Sequence, residues 1–246
     1  MSASPRPRKV YQWRPTMPSG RVLDWLLVTA GAFAFLDGLF RLIRASSATS
    51  LTASRADLLA HTRSISSPIG FVSGPVVLAC EVLWLIWQHK VHADLWARGA
   101  PGLRFTPGWA VGWWFVPFAN YVQPVRAVRE LSNHVGRDGQ SGSDKRPAVS
   151  AGLLASWWGS YVVSSLLALV ALVIWIRTTW AIIMMRPLTT VATIRASDLR
   201  AIAWWWGTSS IVRGVAALLA ARIVWAISRA ENAAPLLAGI PPRPDL

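Results

Sequence analysis

Apolar residues gather in five runs separated by polar, arginine-bearing stretches: Val22 to Ile43, Ile69 to Gln88, Trp109 to Val125, Ala151 to Ile176 and Ala201 to Ile227. A helix needs about 20 residues to cross roughly 30 Å of hydrocarbon, and four of the runs reach that length. The third is shorter and is broken by proline, with Pro107 and Gly108 at its start, Pro117 inside and Pro124 at its end. An interior proline deletes a backbone hydrogen bond and frees the carbonyl four residues back, here that of Trp113, which lipid cannot satisfy. Asn120 falls on the Trp113, Val116 and Pro117 side of a helix and is the nearest polar group for it. The pattern predicts an all-α, polytopic membrane bundle of four spanning helices, the third segment being a proline-broken re-entrant or interfacial helix. Five spanning helices is the alternative.

Composition agrees with that class: 53% of the 246 residues are hydrophobic and 15% charged, and mean hydropathy is positive. Residues 1–20, with Arg6, Arg8, Lys9 and Arg14 among prolines and serines, read as a disordered basic tail; 21–230 form one membrane domain, and 231–246 a second disordered tail. The net charge of +14 is carried mostly by arginines in the loops beside apolar runs. It therefore points to anionic lipid headgroups and away from nucleic acid. Cys80 is the only cysteine, which excludes intrachain disulfides and cysteine-based metal sites.

Loop charge sets the expected orientation. With the third segment re-entrant, sixteen Lys and Arg fall on one side and eight on the other; with five spans the two sides carry twelve each. The first arrangement puts both termini in the cytoplasm of a bacterial plasma membrane. A faint repeat agrees, since Asp57-Leu58 precedes Trp84 by the interval at which Asp198-Leu199 precedes Trp225. Parallel copies of a hairpin require an even number of crossings between their starts.

Ionisable residues within the runs are Asp37, Glu81, Arg213 and Arg222. At 1.5 Å per residue, Asp37 lies about 23 Å and Arg213 about 21 Å from the cytoplasmic ends of their segments, Glu81 about 10 Å and Arg222 about 7 Å. Matched depth predicts two interhelical ion pairs, Asp37 with Arg213 and Glu81 with Arg222. Small residues, Ala30, Ala34 and Gly38 in the first segment and Gly207, Ser210, Gly214, Ala217 and Ala221 in the fifth, form strips suited to close helix approach. Trp25, Trp84, Trp87, Trp157, Trp158, Trp175, Trp204, Trp205, Trp206 and Trp225 lie near segment ends and read as an interfacial belt. Only Trp109, Trp113 and Trp114 are placed to form a cage.

No catalytic set emerges. His89 and His92 stand at i and i+3 with Asp94 nearby and His134 beyond the third segment, a spacing too weak to define a metal site. Ser132 to Pro147, with three glycines and no apolar period, reads as a flexible loop. No serine, histidine and carboxylate group by spacing, so no catalytic, cofactor or metal residue is assigned.

The stretch LWARGAPGLRFTPGWAVGWWFVPFANYVQPVRAVREL resembles the signature of the bacterial membrane family known as domain of unknown function 4328. The matching positions are Pro107, Gly108 and Trp109, then Trp114, Phe115, Pro117 and Asn120, then Pro124, Arg129 and Glu130. The family commonly has a tyrosine after the final proline, where Val125 stands here. The resemblance runs from about Leu23 to Arg229 and implies membrane location without an activity. The expectation is a structural, regulatory or partner-binding protein rather than an enzyme, assembling with itself or with another membrane protein; a small transporter or channel using the intramembrane charges is the alternative.

Overall fold

The computed structural model describes residues 17–47, 68–138, 146–184 and 196–237. Residues 1–16 of the expected N-terminal tail, the Asp57-Leu58 arm of the repeat and the last nine residues lie outside them, whereas residues 17–20, expected in that tail, are helical. Among the described residues there are six α-helices: α1 (Met17–Ser47), α2 (Pro68–Ala97), α3 (Pro107–Gly112), α4 (Gln123–Asp138), α5 (Ala151–Met184) and α6 (Ala196–Leu237). Single 3₁₀ turns at Trp113–Phe115 and Ala119–Tyr121 join α3 to α4, and the described residues include no strand. The protein is all-helical.

Three stretches within these helices, Gly20–Ser46, Ala151–Trp180 and Arg200–Ala233, are long and apolar enough to cross a membrane. The helix α2 is 30 residues long, but past Gln88 it turns polar through His89, Lys90, His92 and Asp94. No continuous helix runs through the third apolar segment, whose longest regular piece is the six-residue α3. Six residues rise about 9 Å, far short of a bilayer. The prolines account for the breaks. Pro107 and Pro124 sit in the first turns of α3 and α4, where a missing amide costs nothing, and Pro117 falls between the two 3₁₀ turns. Asn120 therefore does not lie on a helix face with Trp113; its backbone N–H donates to the Val116 carbonyl at 3.0 Å.

Two further boundaries move. Residues 132–138, expected in a loop, are helical, because Val128, Leu131 and Val135 continue one buried face of α4 to its end, while 139–145 lie outside the described residues. Position 136 within that helix takes glycine because a Cβ there would collide with the backbone of Arg146 and Ala148. Likewise α6 continues past residue 230 to Leu237, and Glu231 is buried, not part of a tail.

The chain divides into two compact units, each drawing on all four long helices. The first contains the chain up to Asp24, Glu81–Leu154 and the part from Arg222 onward. It brings together the start of α1, the end of α2, α3, α4, the start of α5 and the end of α6. Its core holds Val91, Leu95, Val128, Leu131, Ile223 and Ile227. Trp87, fully buried, donates to Ser228 Oγ at 3.0 Å, and a Cβ on Gly20 would meet the same hydroxyl at 2.6 Å. Near the end of α6, Glu231 faces Arg98 at 3.6 Å.

The second unit contains Trp25–Cys80 and Ala155–Ala221. Here the small-residue strips of α1 and α6 pack on one another within the chain. A Cβ on Gly38 would stand 2.6 Å from the Gly207 carbonyl, and one on Gly214 2.9 Å from the Gly31 carbonyl. Removing the side chains lets the two backbones touch, which supplies dispersion contact where lipid offers no hydrophobic drive. Ser209 donates to the Ser164 carbonyl at 2.8 Å, tying α6 to α5.

Neither ion pair expected from matched depth forms. Asp37 Oδ2 accepts from Arg41 Nε at 2.8 Å, one turn along its own helix, and from Ser210 Oγ at 3.0 Å. The Arg41 guanidinium also lies 5.8 Å from the Trp206 ring. Arg213 is on the surface, as are Glu81 and Arg222; Arg222 acts electrostatically on Asp24. A neighbour at i+4 reaches a carboxylate without ordering a second helix, and so wins over a residue at equal depth elsewhere. Asp37→Ala is expected to destabilise the protein in detergent by about 1–3 kcal/mol through an uncompensated Arg41, whereas Arg213→Ala changes unfolding by under about 0.5 kcal/mol. Denaturant titration followed by circular dichroism checks both.

Candidate functional site

The loop from α2 to α3 begins with a helix stop. Gly99, at φ 68°, follows the last turn, with Gly99 N bonded to the Trp96 carbonyl and Ala100 N to the Leu95 carbonyl, both at 3.1 Å. This paired closure needs a residue that tolerates positive φ, which glycine does without cost. Gly102, at φ 76°, makes a second such turn.

Side chains of α2 and α4 then fix the loop. Glu130 Oε2 accepts the Arg104 amide at 3.0 Å and Oε1 the Phe105 amide at 3.2 Å. Trp96 Nε1 donates to the Phe105 carbonyl at 3.0 Å. His134 sets its two ring nitrogens against the Glu130 and Pro101 carbonyls, at 2.9 and 3.1 Å. Thr106 caps α3 by accepting from the Trp109 amide at 3.4 Å.

A second anchor lies under α3. Gln88, fully buried, accepts from the indole nitrogens of Trp84 at 3.1 Å and Trp114 at 2.9 Å, and donates to the Ala110 carbonyl at 3.2 Å. One amide thus joins α2 to α3 and the 3₁₀ turn after it. The other end of α4 is closed by Ser132, whose hydroxyl accepts the Val149 amide at 2.8 Å and whose carbonyl accepts that of Ala148 at 2.9 Å.

These anchors leave a cleft of about 920 Å³ between the loop, α3 and α4. One wall is aromatic, with the Trp109 and Trp113 rings 5.0 Å apart at 36°. The lining also includes Arg126 and Arg129, exposed on α4, and Arg104, exposed on the loop. Gln123, Asn133 and His134 add neutral or protonatable polar groups. Glu130 is the one carboxylate in the lining, and both of its oxygens are held by backbone amides.

The three tryptophans weighed as a cage do not converge. Trp109 and Trp113 line the cleft, while Trp114 turns to Gln88 and lies edge-on to Trp84 at 6.3 Å. Nor are all tryptophans near segment ends interfacial, because Trp84, Trp87 and Trp157 are buried. Trp25, Trp175, Trp204 and Trp225 remain on the surface. Of the motif positions, Pro107, Pro124 and Glu130 are buried, and Arg129 and Phe115 face outward. Gly108 and Gly112 carry no unusual φ.

The family model described as Domain of unknown function (DUF4328) matches residues 44–196. The chain belongs to the DUF4328 family. That range is narrower than Leu23 to Arg229, yet it contains every residue of the cleft. Neither the curated proteins nor the solved structures yield a match. In this DUF4328 protein, Gln88 and Arg104 are site residues that reading the sequence for charge and catalytic spacing does not single out. The available signal was Gln88 itself, an uncharged polar residue one helical turn after Trp84.

Among the described residues no three His, Cys, Asp or Glu side chains are grouped to hold a metal ion. His89 is exposed and His92 fully buried, so the two do not face a common site. Burial pushes the His92 imidazole down to about 4, with the Gln88 carbonyl opposing and His89 and His134 adding to the fall. The ring is therefore neutral, its Nδ1–H donating to that carbonyl at 3.0 Å.

Two outcomes follow for this site. Glu130→Ala leaves two backbone amides without their acceptor and is expected to cost about 2–3 kcal/mol, read as a lower thermal midpoint in detergent; Glu130→Gln recovers part of it. In an unfolded chain His92 holds a proton up to about pH 6.5, so between roughly pH 6.5 and 4 the unfolded state binds more protons. Stability from burying the neutral ring is complete above that window and declines by about 3 kcal/mol as pH falls through it. Denaturant titrations at pH 7 and pH 4.5 check this, with His92→Leu flattening the dependence.

Proposed function

We propose that this DUF4328 protein is a non-enzymatic component of the bacterial plasma membrane, spanning it four times through α1, α2, α5 and α6. On this reading the cleft-bearing motif lies at the cytoplasmic interface and both termini are cytoplasmic. The observation that carries it is the content of the first unit: the start of α1, the end of α2, the motif, the start of α5 and the end of α6 fall in one compact body. A motif that crossed the bilayer would separate the end of α2 from the start of α5. Instead both are bonded to it, through Gln88 to Ala110 and through Ser132 to Val149. The loop charge bias favours the cytoplasmic side for that body. The cluster 21–230, extended to the end of α6, then acts as one membrane domain.

A binding rather than catalytic role is supported by the state of the cleft's titratable groups. Glu130 gives both oxygens to amides, and His134 has a carbonyl at each ring nitrogen. A general base needs a lone pair within reach of the proton it takes. The transporter reading has less support, since Asp37 is held by Arg41 and Ser210, and Glu81 and Arg213 lie on the surface. Structural, regulatory or partner-binding work, in a homo-oligomer or beside another membrane protein, fits the anchored motif better.

The test is side-specific labelling in intact cells with a membrane-impermeant maleimide, after Cys80→Ala removes the native thiol. Cysteines introduced at Ala97 and Ser143 are expected to resist the reagent until the cells are opened, and one at Thr189 to react at once. Opposite behaviour of Ala97 and Ser143 overturns the topology.

A further inference from the structure

We propose that the cleft holds the phosphate headgroup of one anionic phospholipid, a deepening of the interfacial reading above. Arg126 and Arg129 are three apart on α4, so their side chains leave the helix on one face. With Arg104 in the same lining they bring three arginines to one volume, and guanidinium forks match phosphate oxygens two at a time. The single carboxylate there, Glu130, is buried with its oxygens already occupied. An anionic ligand therefore meets a net positive lining.

The apolar side of the cleft selects a lipid over a free phosphate ester. Trp109 and Trp113 present ring surface beside the arginines, and the turn that follows projects Phe115, Phe118 and Val122 outward, Phe118 being 87% exposed. Three bulky apolar side chains bare beside a cationic cleft are costly in water and favourable against acyl chains. Phe118 is also the one non-glycine described residue with positive φ, 62°, closed by a 2.7 Å bond from Ala119 N to the Pro117 carbonyl. That tight turn is strained for a residue bearing a Cβ. A backbone held under strain with an aromatic ring at its tip presents the ring to a lipid surface beside the cleft's phosphate site.

The experiment uses the full chain in neutral detergent, given equal amounts of phosphatidylglycerol and phosphatidylcholine, with retained lipid counted by native mass spectrometry. One phosphatidylglycerol per chain is expected to survive, in preference to phosphatidylcholine. Arg126→Gln with Arg129→Gln should weaken retention about thirty-fold, from roughly one kcal/mol per arginine. Arg126→Lys with Arg129→Lys should lose less, and Arg177→Gln with Arg200→Gln, exposed arginines elsewhere, nothing. Circular dichroism melts establish that each variant is folded, and the lysine pair carries the test if the glutamine pair is not. Equal retention of the two lipids, equal loss in the remote pair, or displacement by millimolar inorganic phosphate alone each overturns the proposal. Retention is read in detergent and maleimide labelling in cells, so lost selectivity with intact labelling sinks this inference while leaving the topology standing.

Discussion

Every backbone amide and carbonyl released when proline breaks a helix must find a partner, and in this protein that demand organises the stretch between α2 and α5. Hydrocarbon supplies no such partner. Three prolines and two positive-φ glycines cut residues 98–123 into pieces too short to satisfy themselves. Side chains from the flanking helices make up the deficit, Glu130 for two amides and Trp96 and Gln88 for two carbonyls, while Thr106 within the segment caps α3. The broken segment is thereby part of a folded body. Its polar anchors lie on α2 and α4 and cost those helices nothing, because each uses a side chain and leaves the helical ladder intact.

The same arrangement decides what the cleft can do. Committing Glu130 to backbone amides removes it as a base and keeps its charge from projecting into the space that Arg126 and Arg129 face. Engaging both nitrogens of His134 likewise spends that ring on position. What remains available in the cleft is cationic and aromatic, which supports the binding role proposed for it. In the second unit the demands differ. Among its described residues, close packing of glycines on α1 and α6 and a single-helix ion pair hold the helices.

Much of this was legible in the residues. Proline spacing locates each break in the third segment, because a missing amide has a local consequence that no tertiary context removes. The glycine strips also point to their contact, since close approach leaves few alternatives to a missing Cβ. Matching charges by depth fails at Asp37 because it compares positions along the membrane normal and ignores Arg41 one turn away. Gln88 hides for a related reason: a glutamine at the end of an apolar run looks like the end of a span, and only folding brings Trp114 and Ala110 to it from over twenty residues away. The end of α4 hides behind Gly136 and Ser132, both of which contact residues 146–149. The expected tryptophan belt is thinned because Trp84 and Trp87 bond to side chains in the core.

The central claim is that Glu130 holds the broken motif as a fixed part of the fold. Hydrogen exchange of the full chain in lipid nanodiscs tests it most directly. The account predicts slow exchange at the Arg104 and Phe105 amides, becoming fast in Glu130→Ala while α5 stays protected. Protection of those two amides that persists unchanged in Glu130→Ala would contradict it.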